Sequence, residues 1–239
     1  KDERMKITRH GSSLIKLTRL GFVNCYLVRE DDGFTLVDTG MAGSAGGILA
    51  AARAEGAPIV RILLTHAHND HVGSLDALHA KLPGAEVLIT ARDARFLRGD
   101  MSLDPGEPQV KLRGGYMVCQ TKPDRELQPG DRVGSLEVIA SAGHTPGQAA
   151  FLDARDGTLI AGDAFQNKAG FVVAGMLRVL FPFSAMATWH KPTALESARR
   201  LRQLDPARLA VGHGAVIEQP GAAMDRAIAE AARKFQANE

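Results

Sequence analysis

The chain has 239 residues, of which 45% are hydrophobic and 23% charged, with a formal net charge of +2. That composition is ordinary for a globular protein, and the length suits one large domain with a sizeable core. The near-neutral charge argues against a polybasic nucleic-acid surface. Cysteine occurs only at Cys25 and Cys119, which fits a reducing compartment better than a disulfide framework. The opening, Lys1 to Arg9, is polar and charged, with no apolar core of a secretory leader behind it. A cytoplasmic chain with no membrane span and no nucleic-acid partner is the expectation.

In chain order, β-type alternation starts at Leu14 to Thr18. Phe22–Arg29 and Gly33–Asp38 read as two more strands, joined by a turn at Asp31-Asp32-Gly33. Gly43–Glu55 reads as a helix with Ile48, Ala51 and Ala52 on one face, and Ile59–Leu64 as a buried strand. Val72, Leu75, Leu78 and Leu82 recur at helical spacing, and Pro83-Gly84 stops that helix. Glu86–Thr90 is a strand, Ala91–Arg98 a short helix, and residues 99–130, rich in Gly, Pro and charge, an irregular excursion.

Further on, Val133–Ala140 holds strand material. Gln148–Leu152 and Thr158–Ala161 form a hairpin around Arg155-Asp156-Gly157. Pro192–Leu204 is an amphipathic helix, Leu209–Val211 a strand, and Pro220–Gln236 a terminal helix with Pro at its start. GFTLVDTG (33–40) and GTLIAGDAF (157–165) are equivalents: a Gly, an aliphatic strand, and an Asp at its end. Two such halves predict an α/β sandwich with the sheets inside and the helices outside.

The strongest chemical signal is His66-x-His68-x-Asp70-His71. Imidazole nitrogen and carboxylate oxygen suit a divalent ion such as zinc. His66 and His68, alternating at a strand end, can point toward one ion, while Asp70 and His71 on the following turn can reach a second. His144 lies in AGHTPG (142–147), where Gly and Pro fix a tight loop after a strand. Asp163 ends the strand Thr158–Gly162, and His213 is bracketed by glycines at another strand end. Each of these three is a weak signal by itself, but together they complete a two-metal ligand set.

VDTG (37–40), THAHNDH (65–71), AGHTPG (142–147), AGDA (161–164) and GHG (212–214) stand in that order along nearly the whole chain. The set resembles the metallo-β-lactamase superfamily. The resemblance implies a single domain over residues 1–239, a four-layer αββα sandwich of two similar halves. By the same resemblance His66, His68 and His144 would hold a first metal. Asp70, His71 and His213 would hold a second, Asp163 would bridge them, and Asp38 would support the ligands from beside the site. The cofactors would be two divalent ions, zinc in the first place, with iron or manganese also suited. Two ions about 3.5–4 Å apart can share a water and lower its pKa from 15.7 toward ~7. The resulting hydroxide would attack the carbonyl of a small ester or lactone, with Asp70 helping to manage the proton.

Branches of the superfamily narrow the substrate. True β-lactamases generally lack a bridging carboxylate, and this chain has Asp163. Glyoxalase-II-like thioesterases share the ligands but add a helical C-terminal region, whereas only about 25 residues follow His213. Lactonases that open acyl-homoserine lactones share the ligand set but carry a Tyr three residues after the bridging Asp, where this chain has Gln166. Small-ester or lactone hydrolysis is the expectation. The alternatives are a thioesterase, a β-lactamase-type hydrolase and a one-iron oxidoreductase of the persulfide dioxygenase type.

Residues 164–191 are apolar and follow Asp163 directly. They read as a pocket wall or lid for an apolar portion of a small-molecule substrate, as a homodimer or membrane-surface contact, or as core. Phe165, Gln166, Met176, Phe181, Phe183, Trp189 and His190, with Tyr116 from the irregular excursion, are the candidate pocket residues. His190 is a candidate proton donor to a leaving group.

Overall fold

The computed structural model describes residues 5–236, so Lys1–Arg4 of the charged opening lie outside the described residues. The chain divides into two compact units, Lys1–Asp100 with Tyr116–Leu127, and Met101–Gly115 with Gln128–Glu239.

The first unit is built on a seven-stranded sheet. Strands β1 (Lys6–His10), β2 (Leu14–Arg19), β3 (Val23–Glu30) and β4 (Gly33–Val37) pair antiparallel in turn. From β4 onward the pairing is parallel, through β5 (Ile59–Leu63), β6 (Glu86–Thr90) and β7 (Arg125–Leu127). Parallel neighbours need crossovers, and helices lie in them. They are α1 (Ala45–Ala54), α2 (Asn69–Val72), α3 (Leu75–His79) and α4 (Ala91–Leu97). All five residues of β4 are buried, as expected of a strand covered on both faces. Two strands of this sheet were not legible in the sequence: β1, whose exposed charges mask its pairing, and β7, inside the irregular excursion.

A single helix was expected from Val72 to Leu82, but the chain breaks it at Gly73-Ser74. The cause is tertiary. Ser74 Oγ donates to Met41 O at 2.6 Å and accepts from Ser44 N at 2.8 Å. A Cβ on Gly73 would stand 2.5 Å from Ala42 N. The turn is thereby clamped against the loop after β4.

The second unit carries a six-stranded sheet. Its strands are β8 (Arg132–Val133), β9 (Leu136–Ala140), β10 (Ala149–Asp153), β11 (Thr158–Ile160), β14 (Arg208–Ala210) and β15 (Ile217–Glu218). Only β11 and β14 pair parallel, with the crossover between them. That crossover holds the small hairpin of β12 (Phe165–Gln166) and β13 (Val172–Val173), then α5 (Phe183–Ala187) and α6 (Lys191–Gln203). Helix α7 (Gly221–Gln236) ends the described chain. Leu201 of α6 and Met224 of α7 join Phe165, Val172, Val173 and Met176 in one buried cluster. The repeat seen in the sequence recurs in pairing: β4 and β11 each have an antiparallel partner before and a parallel partner after. No helix among the described residues is long and apolar enough to cross a membrane.

Candidate metal centre

In the first unit, four candidate ligands follow β5. His66 and His68 lie edge to face with ring centroids 4.9 Å apart, and His66 and His71 stand at 4.0 Å. Asp70 Oδ2 is 3.8 Å from His71 Nε2. His66, His68 and His71 are buried, and Asp70 is partly exposed.

The backbone around them is fixed at several points. Asp93, fully buried on α4, accepts from Ala67 N at 3.0 Å. Thr39 donates from both N and Oγ1 to His71 O. Tyr116 pairs with His68 in an isolated bridge, its ring 4.7 Å from the imidazole.

Asp38 organises two of the imidazoles. Its carboxylate accepts from Thr65 N at 2.8 Å, from Thr65 Oγ1 at 2.8 Å, and from His71 Nδ1 at 2.8 Å. A carboxylate in this role only accepts, so His71 Nδ1 carries the proton and Nε2 is the ligand atom. Thr65 has one hydroxyl proton. Given to Asp38, it leaves the oxygen to accept from His66 Nδ1 at 2.9 Å. His66 is therefore set in the same tautomer.

The second unit repeats this logic. Thr188 Oγ1 donates to Ser184 O at 2.6 Å and so accepts from His144 Nδ1 at 3.1 Å. His144 Nε2 then faces Asp163 Oδ2 at 3.3 Å, and His213 Nε2 stands 3.2 Å from the same oxygen. Gln148 Oε1 accepts from Asp163 N at 3.2 Å, and Asn167 N donates to His213 O at 2.8 Å. Phe181 covers the His213 ring at a centroid distance of 5.2 Å. Each of the seven expected ligands falls in a group of His and Asp side chains that could hold a metal ion. The donor chemistry fits: His66, His71 and His144 present Nε2 as neutral imidazoles, and a cation would neutralise the buried Asp163 carboxylate.

A family model described as the metallo-beta-lactamase superfamily matches residues 18–213. The chain belongs to the metallo-β-lactamase superfamily. Its fold is that of the superfamily, the αββα class expected from the sequence. The superfamily relatives include the uncharacterized protein YobT of Bacillus subtilis, 49% identical over 95% of this chain and 99% of that one. The probable metallo-hydrolase YflN of the same organism is 30% identical over 86% of this chain and 83% of its own. A solved structure, TTHA1623 in a di-iron-bound form, aligns with a TM-score of 0.62 at 26% identity, covering 86% of this chain and 94% of that one.

The pocket expectations divide. Phe165 and Met176 are core side chains of the second unit, Phe165 stacked on Phe171, and this burial corrects their reading as pocket wall. Gln166 is also buried, its Oε1 accepting from Lys168 N at 2.6 Å. Phe183 is exposed and packs edge-on against Phe181. His190 caps α6: its Nδ1 accepts from Thr193 N and contacts Thr193 Oγ1 at 2.7 Å, and burial lowers its pKa. Sequence reading missed the supports Thr65, Asp93, Gln148 and Thr188. Thr65 precedes His66 and could have been suspected, but Thr188 lies 44 positions from His144 with no local signal.

Proposed function

We propose that the chain is a binuclear metallohydrolase acting on a small ester or lactone. In this reading His66, His68 and His144 would hold one ion and Asp70, His71 and His213 the other, with the Asp163 carboxylate a further ligand. One observation carries the reading: the Nδ1 atoms of His66, His71 and His144 are each engaged by a hydroxyl or carboxylate that itself has a second partner. Such anchoring serves metal ligation, because it fixes both tautomer and ring orientation. Membership of the superfamily and the similarity to a probable metallo-hydrolase support it.

Two bound divalent ions would supply Lewis-acid polarisation of the carbonyl and a water of lowered pKa. The side chains do the rest. Asp38, Thr65 and Thr188 hold the imidazoles as neutral ligands. Asp70, with 37% of its side chain exposed, is placed to exchange a proton with solvent or with a leaving alcohol. Burial and the nearby Asp93 charge push the Tyr116 phenol well above its ordinary pKa. Tyr116 therefore stays protonated, with its hydroxyl buried and its ring packed between His68 and Phe96.

The test is a panel of lactones, aryl esters, thioesters and β-lactams on protein reconstituted with zinc, iron or manganese, with oxygen consumption followed in parallel. Ester or lactone turnover is expected, without oxygen uptake. Asp163→Ala and His68→Ala should abolish turnover and lower metal content while circular dichroism stays native. Full activity in either variant would overturn the ligand assignment, and oxygen uptake would favour the one-iron oxidoreductase.

A further inference from the structure

One cavity of the second unit, about 300 Å3 in volume, has a marked charge character. Lys111, Arg113 and Lys191 line it, together with Trp189, His190 and Thr188, and none of its lining residues is acidic. The chain as a whole carries a net charge of only +2, so Lys111 and Arg113 beside one hollow are a local concentration of positive charge, while the Lys191 ammonium lies over the Phe235 ring. The first residues of α6 belong to the lining, and the N-terminal end of a helix this long adds partial positive charge. Trp189 is buried and donates from Nε1 to Val110 O at 3.2 Å. That bond ties the loop bearing Lys111 and Arg113 to the segment before α6.

The same segment holds His144. Thr188 accepts from His144 Nδ1, Trp189 N donates to His144 O at 3.0 Å, and His190 N donates to Gly143 O at 2.9 Å. Three consecutive residues thus line the cavity and fix a candidate metal ligand. A positive hollow with one flat aromatic wall suits an oxyanion on a short carbon skeleton, bound by charge-assisted hydrogen bonds.

We propose that this cavity binds the carboxylate or phosphate group of a small organic anion, and that this group is the far end of the substrate. The second clause rests on the hydrolase reading above. The first stands independently of it.

Trp189 is the only tryptophan in the chain, so its fluorescence reports on the cavity directly. Metal-loaded protein would be titrated with glutarate, with inorganic phosphate and with the neutral diamide of glutarate. A saturable change with glutarate, with phosphate or with both, absent for the diamide, is expected, and the relative response separates the two kinds of anion. In Lys111→Ala/Arg113→Ala the binding should weaken roughly tenfold or more, in line with the loss of charge-assisted contacts. No saturable change with either anion, or equal binding in the double variant, would overturn the site. A kinetic arm compares the aryl half-ester of glutarate with aryl butyrate. A lower KM for the half-ester, with the KM ratio collapsing in the double variant, supports the substrate assignment, and equal KM values overturn it. Anion binding without turnover of either ester would leave the cavity standing and remove the hydrolase reading.

Discussion

Asp38 sits in the left-handed region at φ +61°, a conformation that aspartate adopts more readily than most residues. That backbone turn brings its carboxylate under both Thr65 and His71. Three N–H or O–H donors converge on its two oxygens, and asparagine could not reproduce this, because its amide nitrogen would face one of the donors. Asp38→Asn should therefore weaken metal binding about 10–100-fold, the usual cost of losing a ligand's orienting partner, while the fold survives. A competition titration against a chromophoric chelator reads the change. Thr188→Val should act in the same direction through His144, and Thr188→Ser should restore affinity. Unchanged affinity in both Asp38→Asn and Thr188→Val would mean that these contacts serve packing and leave the ligands unaffected.

Single elements depend on close backbone approaches at the strand ends. Gly143, at φ +135°, has no room for a side chain: a Cβ there would lie 2.3 Å from Ala194 N on α6. Gly143→Ala should cost more than about 2 kcal/mol, combining backbone strain with a steric clash that only movement of α6 can relieve. Gly84→Ala, with open space around the new Cβ, should stay within roughly 0.5 kcal/mol of the parent. Urea denaturation of the two variants checks the contrast, and equal midpoints would contradict it. These loops also explain what the sequence could reveal. The strands ending in Asp38 and Asp163 were legible because a run of aliphatic residues closed by a polar turn has few other uses. The candidate ligands stood out in the sequence because their donor side chains cluster at such ends. The break between α2 and α3 was not legible, since Val72, Leu75, Leu78 and Leu82 keep helical period across it and only tertiary contacts of Gly73 and Ser74 with Met41, Ala42 and Ser44 interrupt the turn. The apolar run after Asp163 hid β12, β13 and α5, because such runs lack the alternation that tells strand from helix. There Phe165, Val172 and Met176 turn into the core, while Leu177, Val179, Leu180, Phe183 and Met186 remain exposed.

At the scale of the whole molecule, the two thiols report how the first unit opens. Cys25 lies on β3 opposite Leu17 of β2, in the middle of the seven-stranded sheet. Burial, with a smaller contribution from the Asp38 charge, drives its pKa far above the ordinary thiol value. Cys119 lies nearer the surface, and burial followed by the Asp76 charge pushes it up to about 11. Since the thiolate is the reactive form, both thiols should resist a disulfide reagent at neutral pH, while the denatured chain releases two equivalents promptly. The sign of the pH effect follows from the raised values. Below its pKa, the thiolate fraction of Cys119 grows roughly tenfold per pH unit, so its labelling should accelerate accordingly up to about pH 11. Cys25 should instead be limited by unfolding of its sheet, and its labelling should track the unfolding rate in denaturant. Mass spectrometry of partially labelled protein distinguishes the two sites and should show Cys119 modified first. Labelling of Cys25 ahead of Cys119 would mean that the β2–β3 pairing opens more readily than the loop that carries Cys119. The sheet could then not be the rigid base that holds Asp38 under its ligands.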